Sequence, residues 1–491
     1  MLVKEDGKAM TSVMMCDAEL VSLQRSDSEY TSGTQQGRKW PQHLAAIIAT
    51  LAAMSAGCAL GWTSPALPLL PFLTEAQASW VGSLLAVGAL LGALPAGWLA
   101  DAWGRKAFLL SLGLPFLLGW GLVITSALAL SPEFQVPLLY AARLLLGVAV
   151  GAVTVAVPLY NSEIAEDSIR GALGAYLQLM ITMGILWVYV VGALAPCMKS
   201  LALACAAVPL VFCVAFFWMP ESPAYLEAQD RFTEAEAALR WLQGNRGPIP
   251  ETQRWRHGKR DEVPQTQEEA EQWLQGESEE AQKTQQPAPR ASTACALGIV
   301  FALMAFQQLS GINAVVFYAG KIFYGPHSAV AAVVVGAVQV AATGAASALA
   351  DRAGRRALLL ASGFGMSTCL IALSVCFYTD ADAGSWLPPL AVAAYIALFS
   401  VGLGPLPWLI MAELVPADAK GRASALAVCL NWTIVFAVTK AFPGLLVGLG
   451  PWATFALFAA VCVVGTVFVA TAVPETKGKS LLQIQCELGR A

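Results

Sequence analysis

The sequence predicts an all-α membrane protein, with twelve transmembrane helices in two halves of six. Three observations predict it. Of the 491 residues, 57% are hydrophobic and only 13% are charged, and mean hydropathy is +0.62, whereas a soluble surface draws on about a quarter charged residues. Apolar stretches of ~20 residues, the length that crosses a bilayer as a helix, recur along nearly the whole chain. Lys and Arg collect in alternate gaps between those stretches.

The spans read in order are 43–63, 80–100, 107–128, 137–160, 172–194 and 201–219, then 293–317, 328–350, 357–377, 387–411, 423–445 and 451–472. Between the sixth and seventh lies a polar stretch, 220–292, rich in Glu, Gln and Arg, with an amphipathic piece (Phe232, Leu239, Trp241, Leu242) that suits a surface helix. The organisation expected is a 1–42 tail, a first bundle at 43–219, a central loop at 220–292, a second bundle at 293–472 and a 473–491 tail. Of 29 Lys and Arg, 25 fall in the tails, the central stretch or the even-to-odd loops; Lys199 and Lys321 fall in the opposite loops, and Arg143 and Lys440 in spans. Positive loops resist translocation, so both tails and the central loop are expected in the cytoplasm.

Composition excludes several classes. Cys58, Cys205, Cys213, Cys295, Cys369, Cys376, Cys429 and Cys462 lie singly in apolar segments without ligand spacing, and read as small membrane hydrophobes. Neither a metal nor a cofactor is expected. The three histidines, His43, His257 and His327, neighbour no nucleophile or carboxylate pattern, so an enzyme is not expected. Nothing suggests nucleic acid. The first forty residues lack the apolar core of a signal peptide. The one Asn-x-Ser/Thr triplet, Asn431-Trp-Thr433, lies inside a span.

The two halves share a signature. Asp101, Gly104 and Arg105 recur as Asp351, Gly354 and Arg355, and Glu163, Arg170 and Gly171 recur as Glu413, Lys420 and Gly421, every pair offset by 250 residues. A duplicated six-helix unit leaves that trace. The stretch Gly97-Trp-Leu-Ala-Asp101-Ala-Trp-Gly104-Arg105-Lys106 resembles the loop between helices two and three of major facilitator superfamily transporters. An ordered series then resembles the sugar porter branch, glucose and trehalose facilitators in particular: Pro158-Leu-Tyr160-Asn-Ser-Glu163 with Arg170-Gly171, Pro220-Glu221-Ser222-Pro223, Gln307-Gln308-Leu-Ser-Gly311-Ile-Asn313, Gly404-Pro405-Leu-Pro407-Trp408, Asn431-Trp432 and Pro474-Glu475-Thr476-Lys477-Gly478. The resemblance implies the major facilitator fold, two six-helix bundles, and a sugar as substrate. This sequence departs from the family pattern at Glu166, where proline is common, at Ala224, where arginine is usual, and at Ser400 and Val435, where many relatives carry glutamate and some asparagine.

A neutral polyol leaving water must find neutral hydrogen-bonding groups and an apolar wall. Gln178 and Thr182 share a helix face, Gln307, Gln308 and Asn313 flank Gly311, and Gln339 and Asn431 lie near mid-span. Trp408 follows Gly402, Gly404, Pro405 and Pro407, breakers of the kind that interrupt helices at transporter sites. The resemblance assigns sugar contact to the same set: Gln178, Gln307, Gln308, Asn313, Gln339, Trp408 and Asn431. Thr63, Phe317, Tyr318 and Ser400 are secondary candidates, and Gly147 and Gly151 suit close helix packing. The alternative for intramembrane amides is simply to tie helices together.

No Asp or Glu falls inside the twelve spans, and Thr63 stands where proton-coupled relatives carry aspartate. Proton relays in membranes are usually carboxylates, so passive transport is expected. Arg143 and Lys440 are placed near the outer parts of their spans, snorkelling or capping carbonyls. Asp101, Arg105, Glu163 and Arg170, with Asp351, Arg355, Glu413 and Lys420, are expected to pair across the bundle interface as a cytoplasmic gate, a role the resemblance implies. Facilitative uniport of a hexose such as glucose by alternating access is the function expected, through a monomer in the cell membrane. Trehalose, another neutral polyol or urate as substrate, a non-transporting sugar sensor, and an endosomal or lysosomal address remain the alternatives.

Overall fold

The computed structural model describes residues 39–129, 131–166, 168–194, 197–244, 290–322, 328–379, 387–415, 417–479 and 483–484. Both tails beyond these limits, most of the central loop, His257 and His327 lie outside the described residues, as do the side chains of Asp351 and Lys420. Residues 42–238 and 283–491 group as one unit, which is the one described below.

Every described element in it is helical. In the first half these are α1 (Trp40–Gly61), α2 (Thr63–Ala66), α3 (Glu75–Trp103), α4 (Arg105–Ser111), α5 (Gly113–Leu128), α6 (Pro132–Ile164), α7 (Arg170–Leu194) and α8 (Met198–Phe216). Two short helices follow, α9 (Pro223–Ala228) and α10 (Phe232–Leu242). The second half holds α11 (Arg290–Leu309), α12 (Ile312–Ile322), α13 (Ser328–Ala353), α14 (Arg355–Tyr378), α15 (Leu387–Val401), α16 (Leu406–Leu414), α17 (Ala417–Gly448) and α18 (Gly450–Ala472). Four pairs, α1 with α2, α4 with α5, α11 with α12 and α15 with α16, each make one interrupted span. Twelve helices are therefore long and apolar enough to cross a membrane among the described residues, each within a few residues of its expected place. Helices prevail because hydrocarbon offers the backbone no partner but itself.

The helices overrun the apolar runs at their ends. Glu75, Asp101, Glu133, Glu163, Asp351, Glu413 and Asp418 fall inside helices, but each within three residues of a helix end, so the middle of every span is free of carboxylates. The amphipathic piece of the central loop is α10, as expected, with Ala235 and Ala238 buried against Tyr225 and Leu226.

Glycine sets the closest approaches. Gly88 and Gly92 of α3 meet Gly147 and Gly151 of α6, and a Cβ on any of the four would collide with a backbone carbonyl opposite: Leu144, Val148, Leu85 or Ala89. Two small residues four apart on each helix let the backbones touch, which in lipid is a principal source of helix adhesion.

The loops carrying Gly104 and Gly354 mark one end of the unit, here called the basic end. Toward the other end the halves meet: Ser79 Oγ of α3 donates to the Lys440 carbonyl of α17 at 2.9 Å, Lys440 Nζ lies 4.0 Å from the Trp80 ring centroid, and Tyr189 Oη of α7 donates to the Val316 carbonyl of α12 at 2.9 Å.

Candidate functional site

Two helix interruptions build the centre of the site. At the first, Gly311 takes φ +88°, a conformation that suits glycine and parts α11 from α12; a Cβ there would also press on the Phe458 ring at 2.6 Å. Gln307 and Gln308 close α11 and Asn313 opens α12. At the second, residues 402–405 leave the helix between α15 and α16. Pro407 has no N–H, so the Leu403 carbonyl four residues before it loses its ordinary donor. Gln307 supplies the replacement: its Nε2 donates to the carbonyls of Leu403 at 2.8 Å and Gly404 at 2.7 Å.

The rest of the polar cluster hangs on the same amide. Gln307 Oε1 accepts from Asn431 Nδ2 at 3.0 Å and from Gln308 Nε2 at 3.2 Å. Asn313 Nδ2 donates to Gln308 Oε1. Ser310 Oγ donates to the Gln307 carbonyl at 2.7 Å, and Tyr395 Oη donates to the Ser310 carbonyl at 2.9 Å. Four of the expected residues, Gln307, Gln308, Asn313 and Asn431, are thus one hydrogen-bonded group.

The other three stand apart from it. Gln339 is buried on α13, and Gln178 half-buried on α7. Those two helices face each other along Gly336, where an added Cβ would meet Leu186 and Tyr189 at 3.2 Å. Trp408 is half-buried in the first turn of α16. Among the described residues no side-chain hydrogen bond joins Gln178, Gln339 or Trp408 to the amide cluster. Phe317, Tyr318 and Ser400 are buried, and Tyr318 interrupts the helical dihedrals of α12 (φ −114°, ψ 16°).

Of the two roles expected for Arg143, snorkelling or capping carbonyls, the structure shows the second: it is wholly buried, donating from Nε to the Val81 carbonyl at 2.9 Å, from Nη1 to the Ala59 carbonyl at 2.6 Å and from Nη2 to Thr63 Oγ1 at 3.1 Å. The Ala59 carbonyl is available because α1 ends at Gly61, and the guanidinium lies 5.3 Å from the Trp62 ring centroid. Thr63 therefore serves as a neutral partner to a buried cation.

The basic end repeats one device twice. Arg105 donates to both oxygens of Glu163 (Nε to Oε2 at 2.9 Å, Nη2 to Oε1 at 2.9 Å) and pairs with Asp101 at 3.0 Å. In the second half Arg355 pairs with Glu413 at 3.1 Å. These pairs, Arg105 with Glu163 and Asp101 and Arg355 with Glu413, each lie within one half. Gly104 and Gly354, at φ +92° and +90°, turn the chain so that a second carboxylate meets the next helix start. Lys106 N–H donates to Glu221 at 2.9 Å, and Arg355 and Arg356 N–H donate to Glu475 at 2.9 and 3.1 Å. Burial raises the Glu221 carboxyl above its ordinary value, outweighing its N–H donors and Arg105. Glu475 also feels burial, but donors at Lys477, Arg355, Arg356 and Thr476 bring it net below the ordinary value. Pro-Glu-Ser at 220–222 and Pro-Glu-Thr at 474–476 stand at matching places after the sixth and twelfth spans. That recurrence was the available signal for a paired role.

A profile of the family described as "Sugar (and other) transporter" matches residues 15–488. The chain belongs to this family. It is a multi-pass membrane transporter of the sugar porter kind and not an enzyme. Among its relatives, the transporter is 38% identical over 474 residues to the solute carrier family 2, facilitated glucose transporter member 8 of Bos taurus, covering 90% of this chain and 93% of that one. It is 35% identical over 471 residues to the facilitated trehalose transporter Tret1 of Bombyx mori, covering 94% and 89%. The transporter's fold matches the xylose transporter XylE of E. coli in a partially occluded inward-open conformation, with TM-score 0.72, 23% identity, and 90% and 99% of the two chains covered. The major facilitator fold expected from the sequence is therefore the fold observed.

Proposed function

We propose that the transporter carries a hexose such as glucose down its gradient by alternating access, with the amides of Gln307, Gln308, Asn313 and Asn431 facing the sugar, and Gln178, Gln339 and Trp408 completing the wall. The observation that carries this reading is a buried cluster of neutral amides at two helix interruptions, with no carboxylate in mid-span. Neutral donors and acceptors suit a hydroxylated solute, and interrupted helices are where transporters place substrate. Thr63, the neutral partner of Arg143, supplies no titratable group where a proton relay needs one. The relatives named as facilitated glucose and facilitated trehalose transporters support passive carriage and leave two sugars to separate.

The test is uptake of labelled glucose and labelled trehalose into proteoliposomes, with and without an imposed pH gradient. Saturable glucose uptake that ignores the gradient, and falls ~10-fold or more in Asn313→Ala, is expected, since a sugar site loses several-fold per hydrogen bond removed. Uptake of trehalose in place of glucose would assign the larger sugar, for which the small side chains at Ser400 and Val435 leave room. Accumulation driven by the gradient would overturn passive carriage.

In the same reading both tails and the basic end lie in the cytoplasm of a cell-membrane protein, and a monomer suffices. Asp101, Arg105, Glu163 and Arg170, with Asp351, Arg355, Glu413 and Lys420, act as the cytoplasmic gate. Each half braces its own helix ends, and the two braces come together when that side closes.

A further inference from the structure

We propose that Ser362, on the ninth span, is a positioning residue for transport: its hydroxyl pins the break in the tenth span, and α16 swings about that pin when the ion pair at its far end releases. The inference rests on the alternating-access reading above and supplies its pivot. The break strands one backbone donor. Gly404 N–H donates to the Phe399 carbonyl at 2.7 Å, five residues back, where an unbroken helix would have used the N–H of Leu403. Leu403 is buried, so its N–H needs another acceptor. Ser362 Oγ accepts it at 3.2 Å.

The same hydroxyl donates its proton to the Leu398 carbonyl, in the last turn of α15, at 2.8 Å, with the Met366 thioether at 3.5 Å the weaker acceptor. One side chain of α14 thus ties the end of α15 to the residue beyond it. A helical serine commonly turns its hydroxyl back to a carbonyl of its own helix, as Ser367 does to Phe364 at 2.7 Å. Ser362 reaches across because Gly402 brings no side chain: a Cβ there would meet Ser362 Cβ at 2.3 Å. The far end of α16 is held from the same helix, where Arg355 pairs with Glu413 at 3.1 Å. Arg355 and Ser362 are seven residues apart, which sets them on one face of α14 about 10 Å apart. The two holds differ in kind. Arg355 and Glu413 are 14% and 24% exposed, so water can take the place of either partner, whereas Ser362 is 3% exposed and its departure would leave the Leu403 N–H buried and unmet. The ion pair is the hold that lets go, and the hydroxyl is the one that stays.

The experiment uses the full-length protein in lipid nanodiscs and compares wild type with Ser362→Ala, Ser367→Ala and Glu413→Gln. Ser367 is also buried, but its bond stays within α14, so it controls for the loss of any buried hydroxyl. Hydrogen exchange without sugar is read at both ends of α16. Ser362→Ala should exchange ~5-fold or more faster in 399–405 and as wild type in 410–415, the size expected for one net hydrogen bond. Glu413→Gln should do the reverse, and Ser367→Ala should change neither. In proteoliposomes, with whichever sugar wild type carries, Ser362→Ala should lower maximal turnover ~5-fold while the half-saturating concentration moves less than ~3-fold, since the hydroxyl lies outside the sugar site. Unchanged exchange in 399–405, or turnover in Ser362→Ala equal to that in Ser367→Ala, would overturn the proposal. Should Ser362→Ala not purify as a folded protein, Ser362→Cys, whose thiol is a weaker donor and acceptor, replaces it with the same direction expected in both readouts. If wild type carries no sugar, the transport reading fails, while the exchange measurement still decides the pin.

Discussion

Glu221 and Glu475 show how one residue type can sit in twin places and carry different electrostatics. Both cap the helix start that follows a left-handed glycine, yet burial raises one carboxyl and four backbone donors lower the other. The lowered Glu475 contributes stability that is complete above the ordinary glutamate value and is lost as pH falls through its folded value. The raised Glu221 works the other way: the folded state favours its proton, so acidification between the folded value and the ordinary value stabilises the protein. Glu475→Gln should therefore cost about 1 kcal/mol of stability, after allowance for its partial contact with water, and this cost should hold from about pH 7 to about pH 5. Glu221→Gln should cost less at about pH 7, and the wild type should gain on it as the pH falls to about 5. Thermal unfolding of the solubilised protein across that range reads both. Residue types announced the amide cluster, because Gln and Asn in an apolar helix need a reason to be there. They did not announce its wiring, since Gln307 finds Leu403 and Gly404 across 96 and 97 residues and Glu221 finds Lys106 across 115.

Elements were legible because lipid restricts the menu: a run of ~20 apolar residues has only the helix open to it. The ends were less so. α3 and α6 start five residues before their apolar runs, at Glu75 and Pro132, because helix termini tolerate charge and proline where the bilayer centre does not. Proline also explains a seam that the apolar pattern hid. Pro443 in α17 leaves the Thr439 carbonyl without its helical donor, and Tyr318 Oη takes it at 3.3 Å. One residue on, the Lys440 carbonyl is taken by Ser79 from the other half, and a turn of α12 is held in the same manner by Tyr189. Opening this end must break those bonds. Ser79→Ala and Tyr189→Phe should each shift the resting balance toward the state open at this end by ~5-fold, about 1 kcal/mol per hydrogen bond. Labelling rates of a cysteine introduced at Phe436, whose ring lies tilted against Trp80 of the opposite half, measure the shift.

At the scale of the molecule, the two halves repeat the same end-brace yet differ in their interiors. The first half keeps its polar chemistry around Arg143, and the second keeps its neutral amides. Arg143 is wholly buried, and every bond it makes goes to a neutral oxygen: two backbone carbonyls and the hydroxyl of Thr63. A fixed positive charge in a low-dielectric interior is felt over distances at which water would have screened it. A sodium ion or hydronium entering the core would meet that repulsion, whereas an uncharged solute would pass it indifferently, much as cationic side chains exclude ions from other pores. On this electrostatic argument the buried arginine should insulate the transporter against cations. Turnover should be electrically silent: substrate jumps on a solid-supported membrane should evoke no current while radiolabel flux proceeds, and a measurable current per sugar moved would show that the insulation fails.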